Sequence, residues 1–468
     1  MAVMSKKPNV LLLMCDQMQA KRMGFVDGIA HTPNLDALAA EGVHFPNAIT
    51  VHGQCVPSRC SFITGKSPHE TNVMANFGFH GHCGTLTPDS HTFVHEFQQA
   101  GYTTAHFGKS HLGAPLRTLG FDVGECLDGH FPEHKEPAFR TRYREANRAS
   151  GGDGYAASSD GKSTHYKALE EGLAWLSEHD PEDKPLLFMY DTNLPHPPFY
   201  FEPEWESRFK PEEMILPKSF EAETFEGKPE FIRKRADAYG PLQEKDGQAR
   251  KDLAQYYTMI AAVDKACGQI IDMFKEKGLW DNTIVLFLAD HGDMMGGHRL
   301  RFKGCYPYEE LYNIPCIMKL PKGVVRTRTV VEDVVVSTDL PGALLALAGI
   351  DASPTFADSD VFKALRRDSP TGNECAFFEH YGAWWGVHPF YGARTATMKY
   401  VRYYGDENFE ELYDLASDPD ELTNVAHDPA YRTQLAELAA SADAWWQHTG
   451  GQSAAYYDTQ AFKDGLNK

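Results

Sequence analysis

The sequence predicts an α/β fold: a large, mixed, mostly parallel sheet flanked by helices, then a small α+β unit of antiparallel strands and a helix. Three observations lead there. Short apolar runs of strand length alternate with helical patterns through most of the chain, which implies a largely parallel sheet covered on both faces. A long periodic stretch, Asp252 to Lys277, has the apolar spacing of one helix. Beyond about Asp368 the pattern turns to aromatic, alternating segments. The expected division is a catalytic domain over 1–370 and a C-terminal subdomain over 371–468.

In chain order, Asn9 to Met14 reads as a buried strand that ends before Asp16. Thr32-Pro33 opens a helix with Leu35, Leu38 and Ala39 at 3–4 spacing and Gly42 past its end. Thr103–Phe107, Leu186–Tyr190, Thr283–Leu288 and Cys316–Leu320 are further strands. His130 to Thr164 and Phe201 to Gln248 are polar, charged and rich in Pro and Gly, so they read as long insertions over the sheet edge. Cys375–Glu379 and Tyr391–Tyr404 predict antiparallel strands, and Ala430 to Gln447 an amphipathic helix before a weakly patterned tail.

Composition narrows the function classes. The chain has 468 residues, 42% hydrophobic and 24% charged, which is ordinary globular usage. Its net charge of −20 argues against nucleic acid as a partner, because phosphate backbones need a basic face. A small anionic substrate in a locally positive pocket is still compatible. No run approaches the ~18 apolar residues of a membrane-spanning helix, so no membrane partner is expected. Val10 to Cys15 is too short for a signal-peptide core of ~7–15 residues, and Asp16 ends it. Nine scattered cysteines without a C-x-x-C predict free thiols in a reducing compartment, hence a cytoplasmic protein. A homo-oligomer is compatible with the chain.

Several residues point to chemistry. Asp16-Gln17 ends the first strand, where open α/β sheets place their sites. Asp290-His291 follows the strand over Ile284 to Leu288 and faces the same sheet edge. In Cys55-Val56-Pro57-Ser58-Arg59, the arginine four residues on would lower a thiol pKa or hold an anion, without singling out a reaction. Lys109 and His111, two apart, point the same way if the segment is extended.

C-x-P-S-R followed by Thr64-Gly65 resembles the signature of the type I, formylglycine-dependent sulfatases of the alkaline phosphatase superfamily. The resemblance covers roughly residues 8 to 448 and also includes Gly108-Lys109-Ser110-His111, Pro195-His196-Pro197-Pro198-Phe199 and Glu411-Leu412-Tyr413-Asp414-Leu415. It implies an alkaline-phosphatase-like fold and a sulfuric ester hydrolase. It implies that a formylglycine-generating enzyme converts Cys55 to formylglycine, whose hydrated aldehyde attacks sulfur through one hydroxyl and expels sulfate through the other. It implies one divalent cation on Asp16, Gln17, Cys55, Asp290 and His291. Three oxygen ligands and an imidazole suit Ca²⁺ first and Mn²⁺ second. Arg59, Lys109, His111, His196 and Lys303 are the implied catalytic residues, with Lys303 at the leaving-group oxygen. Asn76 and His298 are implied substrate contacts. The C-terminal aromatic group of Trp384, Trp385, His388 and Tyr391 is expected to read the leaving group. Most family members carry Asp where this chain has Gln17, and commonly Trp where it has Ser110. Asp-Gln is instead the pattern of the phosphonate monoester and phosphodiester hydrolases of the same superfamily, which makes that activity the alternative. The expected substrate is a small-molecule sulfate ester.

Overall fold

The computed structural model describes residues 6–77, 84–126, 164–180, 184–244, 247–324, 329–357, 361, 365, 374–404 and 409–454. The first strand, β1 (Asn9–Cys15), is completely buried, as a near-continuous apolar run must be when both faces are covered. It pairs in parallel with β6 (Leu186–Asp191) on one side and β7 (Thr283–Ala289) on the other. β4 (Thr103–Gly108) extends the sheet beyond β6, and β5 (Val123–Cys126) closes that edge. At the other edge β8 (Cys316–Lys319) runs antiparallel to β7, and the two-residue β2 (Val43–His44) caps it. The order is β2-β8-β7-β1-β6-β4-β5, a mixed, mostly parallel sheet as expected.

Helices cover it. Pro33–Glu41 forms α1, and the Thr32 side chain ahead of it accepts no helix N–H: its hydroxyl donates to Asp36 and accepts from Gly24 N. The free N–H groups of Asn34 and Leu35 are taken by Asp264, reaching across from another helix. Cys55–Thr64 forms α2, buried along its whole length. Thr164–Glu178 forms α3. The segment read as an insertion over 201–248 is not a bare loop. It contains α4 (Glu230–Glu244), which turns Ile232, Ala236 and Tyr239 inward at 3–4 spacing beneath a charged outer face. Its high charge hid that stripe. The long α5 (Gln248–Glu276) carries Asp264. The other predicted insertion, 130–164, lies outside the described residues except for Thr164, and so does most of the tail.

The C-terminal part is a four-stranded antiparallel sheet, β10 (Ala376–Ala383), β11 (Gly386–Arg394), β12 (Met398–Tyr403) and β13 (Glu410–Asp414), with α6 (Arg432–His448) against one face. The expected Tyr391–Tyr404 segment is two strands joined by a turn. Glu379 N donates to Val51 O at 3.0 Å, and Gln54 Nε2 to Gly382 O at 2.8 Å. This sheet therefore grips the chain immediately ahead of Cys55.

A buried ionic network lies between the two sheets: Glu309 with Arg394 and Lys399, Lys399 with Glu421, and Lys228 with Glu223. Glu411 sits within it, where burial pushes its carboxyl up to about 7 against Lys228, Lys399 and the hydroxyls of Tyr403 and Tyr413. The folded state therefore holds a proton that the unfolded chain, titrating near 4.5, gives up first. The corresponding stability is full below about pH 4.5 and is lost as pH rises to about 7, on the order of 3 kcal/mol. Glu411→Gln should flatten the fall in melting temperature over that window; parallel profiles for variant and parent would contradict this.

Candidate active site

The site is assembled by strand register. Cys15 pairs with Ala289, and Asp191 pairs with Met14 and Gly108, so β1, β7, β6 and β4 end at one level. The residues that follow are Asp16-Gln17, Asp290-His291 and Lys109, with Asp191 itself ending β6. Backbone bonds tie the ends together: Asp290 N to Cys15 O at 3.1 Å, and Lys109 N to Asp191 O at 2.9 Å.

Cys55 is the first residue of α2 and faces this edge. Its Sγ lies 2.9 Å from Lys303 Nζ, 3.2 Å from His291 Nε2, 3.6 Å from Asp16 Oδ1 and 3.9 Å from Asn76 Nδ2. Burial opposes ionisation of the thiol. Lys109, Lys303 and His291, with a hydrogen bond from His111, outweigh it and pull its pKa well below the ordinary value. Lys109 also pairs with Asp16. Burial and Cys55 push the Asp16 carboxyl up, and Lys109, His196 and Lys303 together bring it down below the usual carboxylate range. This is the positive pocket that the acidic composition left room for.

Asp16, Cys55, Asp290 and His291 each turn one ligand atom to a common point, all within 4.8 Å of one another and all buried. The surroundings suit a hard cation. His291 Nδ1 donates to Gly292 O at 2.7 Å, which leaves Nε2 as the ring atom facing the cluster. Asp290 Oδ1 accepts from the backbone N–H of Gln17 and His291, and its Oδ2 accepts from Arg59 Nε at 2.7 Å. Arg59 Nη1 reaches Asp191 at 2.8 Å, so this arginine holds a ligand carboxylate in place, while its Nη2 is buried without a hydrogen-bond partner. Gln17 sits at φ 71°, a strained backbone for a side chain of its size, fixed by Tyr256 Oη donating to its carbonyl at 2.6 Å. Asp293 accepts from Gln17 Nε2, which sets the amide so that Oε1 faces Lys303 Nζ at 2.6 Å, inside the cluster. Asp293 is thus an orienting residue that sequence reasoning missed.

The Sulfatase family model matches residues 8–350, and the model of the N-sulphoglucosamine sulphohydrolase C-terminal region matches 296–445. The chain belongs to the sulfatase family. The ulvan-active sulfatase of Formosa agariphila is 26% identical over 93% of this chain and 80% of its own length. A solved protein in complex with its substrate D-glucosamine-2-N,6-O-disulfate superposes with a TM-score of 0.77 at 21% identity, over 98% of this chain and all of the other. The phosphonate monoester hydrolase of Silicibacter pomeroyi superposes with a TM-score of 0.74 at 21% identity, over 96% and 97% of the two chains. These two likenesses establish the alkaline-phosphatase-like fold.

The other expected residues of this sulfatase divide. His111 does reach Cys55, but through a left-handed φ of 56° and not through an extended segment. His196 acts on Asp16 from a turn closed by its own N–H to Asn193 O. Asn76 belongs to the site: its Oδ1 accepts from Val56 N at 2.9 Å and so positions the start of α2. His298 has structural partners of its own. It is fully buried, stacked on Tyr308 at 3.8 Å and bonded to Glu223, and these partners bind it into the ionic network. Trp384 is 53% exposed in the β10–β11 turn, and His388 stacks on Phe231. Tyr391 departs from that group, because it stands an odd number of residues from His388 and so faces α6, stacked on Trp446. Two residues had no sequence signal: His52 and His380, fully buried and stacked at 4.4 Å behind the Cys55 loop. Asp191 had one, since it ends an apolar strand as Asp16 does.

Proposed function

We propose that this sulfatase hydrolyses a small-molecule sulfate monoester, with Cys55 converted to formylglycine as its nucleophile and Ca²⁺ as its cation, Mn²⁺ being the alternative. The observation that carries the reading is Cys55 Sγ. It stands where the nucleophilic oxygen would be, in contact with the ligand cluster and Lys303 at once. The aldehyde hydrate supplies a hydroxyl nucleophile with a built-in route of release, and a divalent cation would supply Lewis-acid polarisation of an ester oxygen. Asp16, Gln17, Asp290 and His291 would hold that cation. Two carboxylates and one amide oxygen fit Ca²⁺ better than a Zn²⁺ cage.

The chain's own groups divide the remaining work. Arg59 and Asp191 fix Asp290. Lys109 and His111 would take sulfate oxygens, and His196 would add a further substrate contact. Lys303 places a proton and a positive charge at the departing oxygen. A sulfate monoester brings one negative charge, which suits two lysines already half balanced by Asp16. The ulvan-active relative supports a sulfated substrate. Gln17 favours a second reading, a phosphonate monoester or phosphodiester hydrolase on the same groups, and the structural likeness to such an enzyme agrees. Free thiols at 15, 55, 60, 267, 305, 316 and 375 support maturation and action in a reducing compartment. Among the described residues no helix is long and apolar enough to cross a membrane.

The test is to express the chain with and without a formylglycine-generating enzyme and measure the mass of the Cys55 peptide in each preparation. Turnover of 4-nitrophenyl sulfate should rise in proportion to the fraction that has exchanged H₂S for O. Full turnover by unconverted protein would sink the proposed nucleophile.

A further inference from the structure

We propose that Arg235, Trp384 and Trp385 form a leaving-group subsite for a ring that carries a second anionic group, a carboxylate or another sulfate. This rests on the sulfatase reading and adds what the far half of the substrate is.

Arg235 lies on α4 and is held by faces, not by charge. Its guanidinium carbon sits 4.5 Å from the ring centres of Tyr239 and Trp384 and 5.2 Å from that of Trp385. Its Nη2 donates to Tyr239 Oη at 2.8 Å, and the Tyr306 hydroxyl lies beside it. Its Nε has no hydrogen-bond partner, and no carboxylate lies within ion-pair range among the described residues. Two acidic residues of α4, Glu230 and Asp237, are spent on a different arginine, Arg233. A guanidinium stacked by its faces keeps its edge for in-plane hydrogen bonds, which is the geometry for a carboxylate or sulfate. Trp385 Nε1 is also buried without a partner, a second unmet donor in the same group. Trp384 leaves about half its surface to solvent, an apolar plane of the size of a sugar or aryl ring.

This group adjoins the chemistry. Lys303, at the Cys55 sulfur, has both chain neighbours against it. The Phe302 ring meets Tyr239 at 6.5 Å and Phe199, beyond the His196 turn, at 5.8 Å. On the other side, a Cβ at Gly304 would stand 3.0 Å from Trp385 and 2.9 Å from Tyr306, so the glycine lets the indole close on the lysine's backbone. A ring departing from Lys303 would meet Trp385 first, then Trp384 and Arg235.

The test compares 3- and 4-(sulfooxy)benzoate with their methyl esters on converted, metal-loaded protein, so that each pair differs by one carboxylate. The parent should favour the free acids in kcat/KM by about tenfold, the scale of one charge-assisted hydrogen bond. Arg235→Gln should erase that ratio, Arg235→Lys should keep part of it, and Trp384→Ala should raise KM for acid and ester together. An unchanged ratio in Arg235→Gln, or none in the parent, would reduce Arg235 to a clamp between α4 and the β10–β11 turn and overturn the proposal. If Arg235→Gln does not fold, an unchanged ratio in Arg235→Lys together with unchanged KM values in Trp384→Ala overturns it equally. Failure to hydrolyse any of the four esters would overturn the sulfatase reading itself, a result distinct from equal rates.

Discussion

Cys55→Ala should abolish sulfate ester hydrolysis, lowering kcat/KM for 4-nitrophenyl sulfate by about 10⁴-fold or more, as loss of a covalent nucleophile does elsewhere. The effect should be confined to chemistry. Cys55 meets the site through Sγ, which faces Lys303, His291, His111, Asp16 and Asn76, while the start of α2 is fixed separately by Asn76 Oδ1 on Val56 N and by Gln54 on Gly382 O. The alanine variant should therefore melt close to the parent and still gain stability from added Ca²⁺ through Asp16, Asp290 and His291. Residual activity within tenfold of the parent, in a preparation free of it, would contradict the nucleophile.

Asp290→Asn should remove both activity and stability. Asp290 serves two opposed sets of donors, with the backbone N–H groups of Gln17 and His291 on one oxygen and Arg59 Nε on the other. An asparagine has one oxygen and one NH₂, so whichever way it turns, one set faces a donor. Arg59, 3% exposed, would keep only Asp191 and a carbonyl. Breaking a buried pair of this kind costs about 3–5 kcal/mol. The cluster also loses a negative ligand, so the rise in melting temperature that Ca²⁺ gives the parent, which follows from binding to the folded state alone, should largely disappear. A variant with the parent's melting temperature and Ca²⁺ response would show that Asp290 neither anchors Arg59 nor holds the cation.

Much of this was legible in the sequence. Apolar runs such as Val10–Met14 and Ile284–Leu288 have the length of strands buried on both faces, and a parallel sheet puts whatever follows them on one edge. That logic brought Asp16 and Asp290 together without any contact being known. What stayed hidden depends on the tertiary partner. The carboxylate that orients Gln17 is Asp293, two residues past His291, and nothing in the spacing says that its side chain turns back to β1. His298 has the residue type of a site and the partners of a buried ion network, which only Glu223 and Lys228 reveal. Charge along α4 concealed its apolar stripe, and with it Arg235. Tyr391 was readable: an odd separation from His388 on one strand already places the two on opposite faces.

The central claim is that these groups hydrolyse a sulfate ester. The most direct measurement is kcat/KM for 4-nitrophenyl sulfate beside 4-nitrophenyl phenylphosphonate on the same converted protein, with Cys55→Ala as the blank. The account predicts a clear preference for the sulfate that vanishes in the blank. A preference for the phosphonate would contradict it and make the Gln17 amide, not the lysine pair, the residue that sets the reaction.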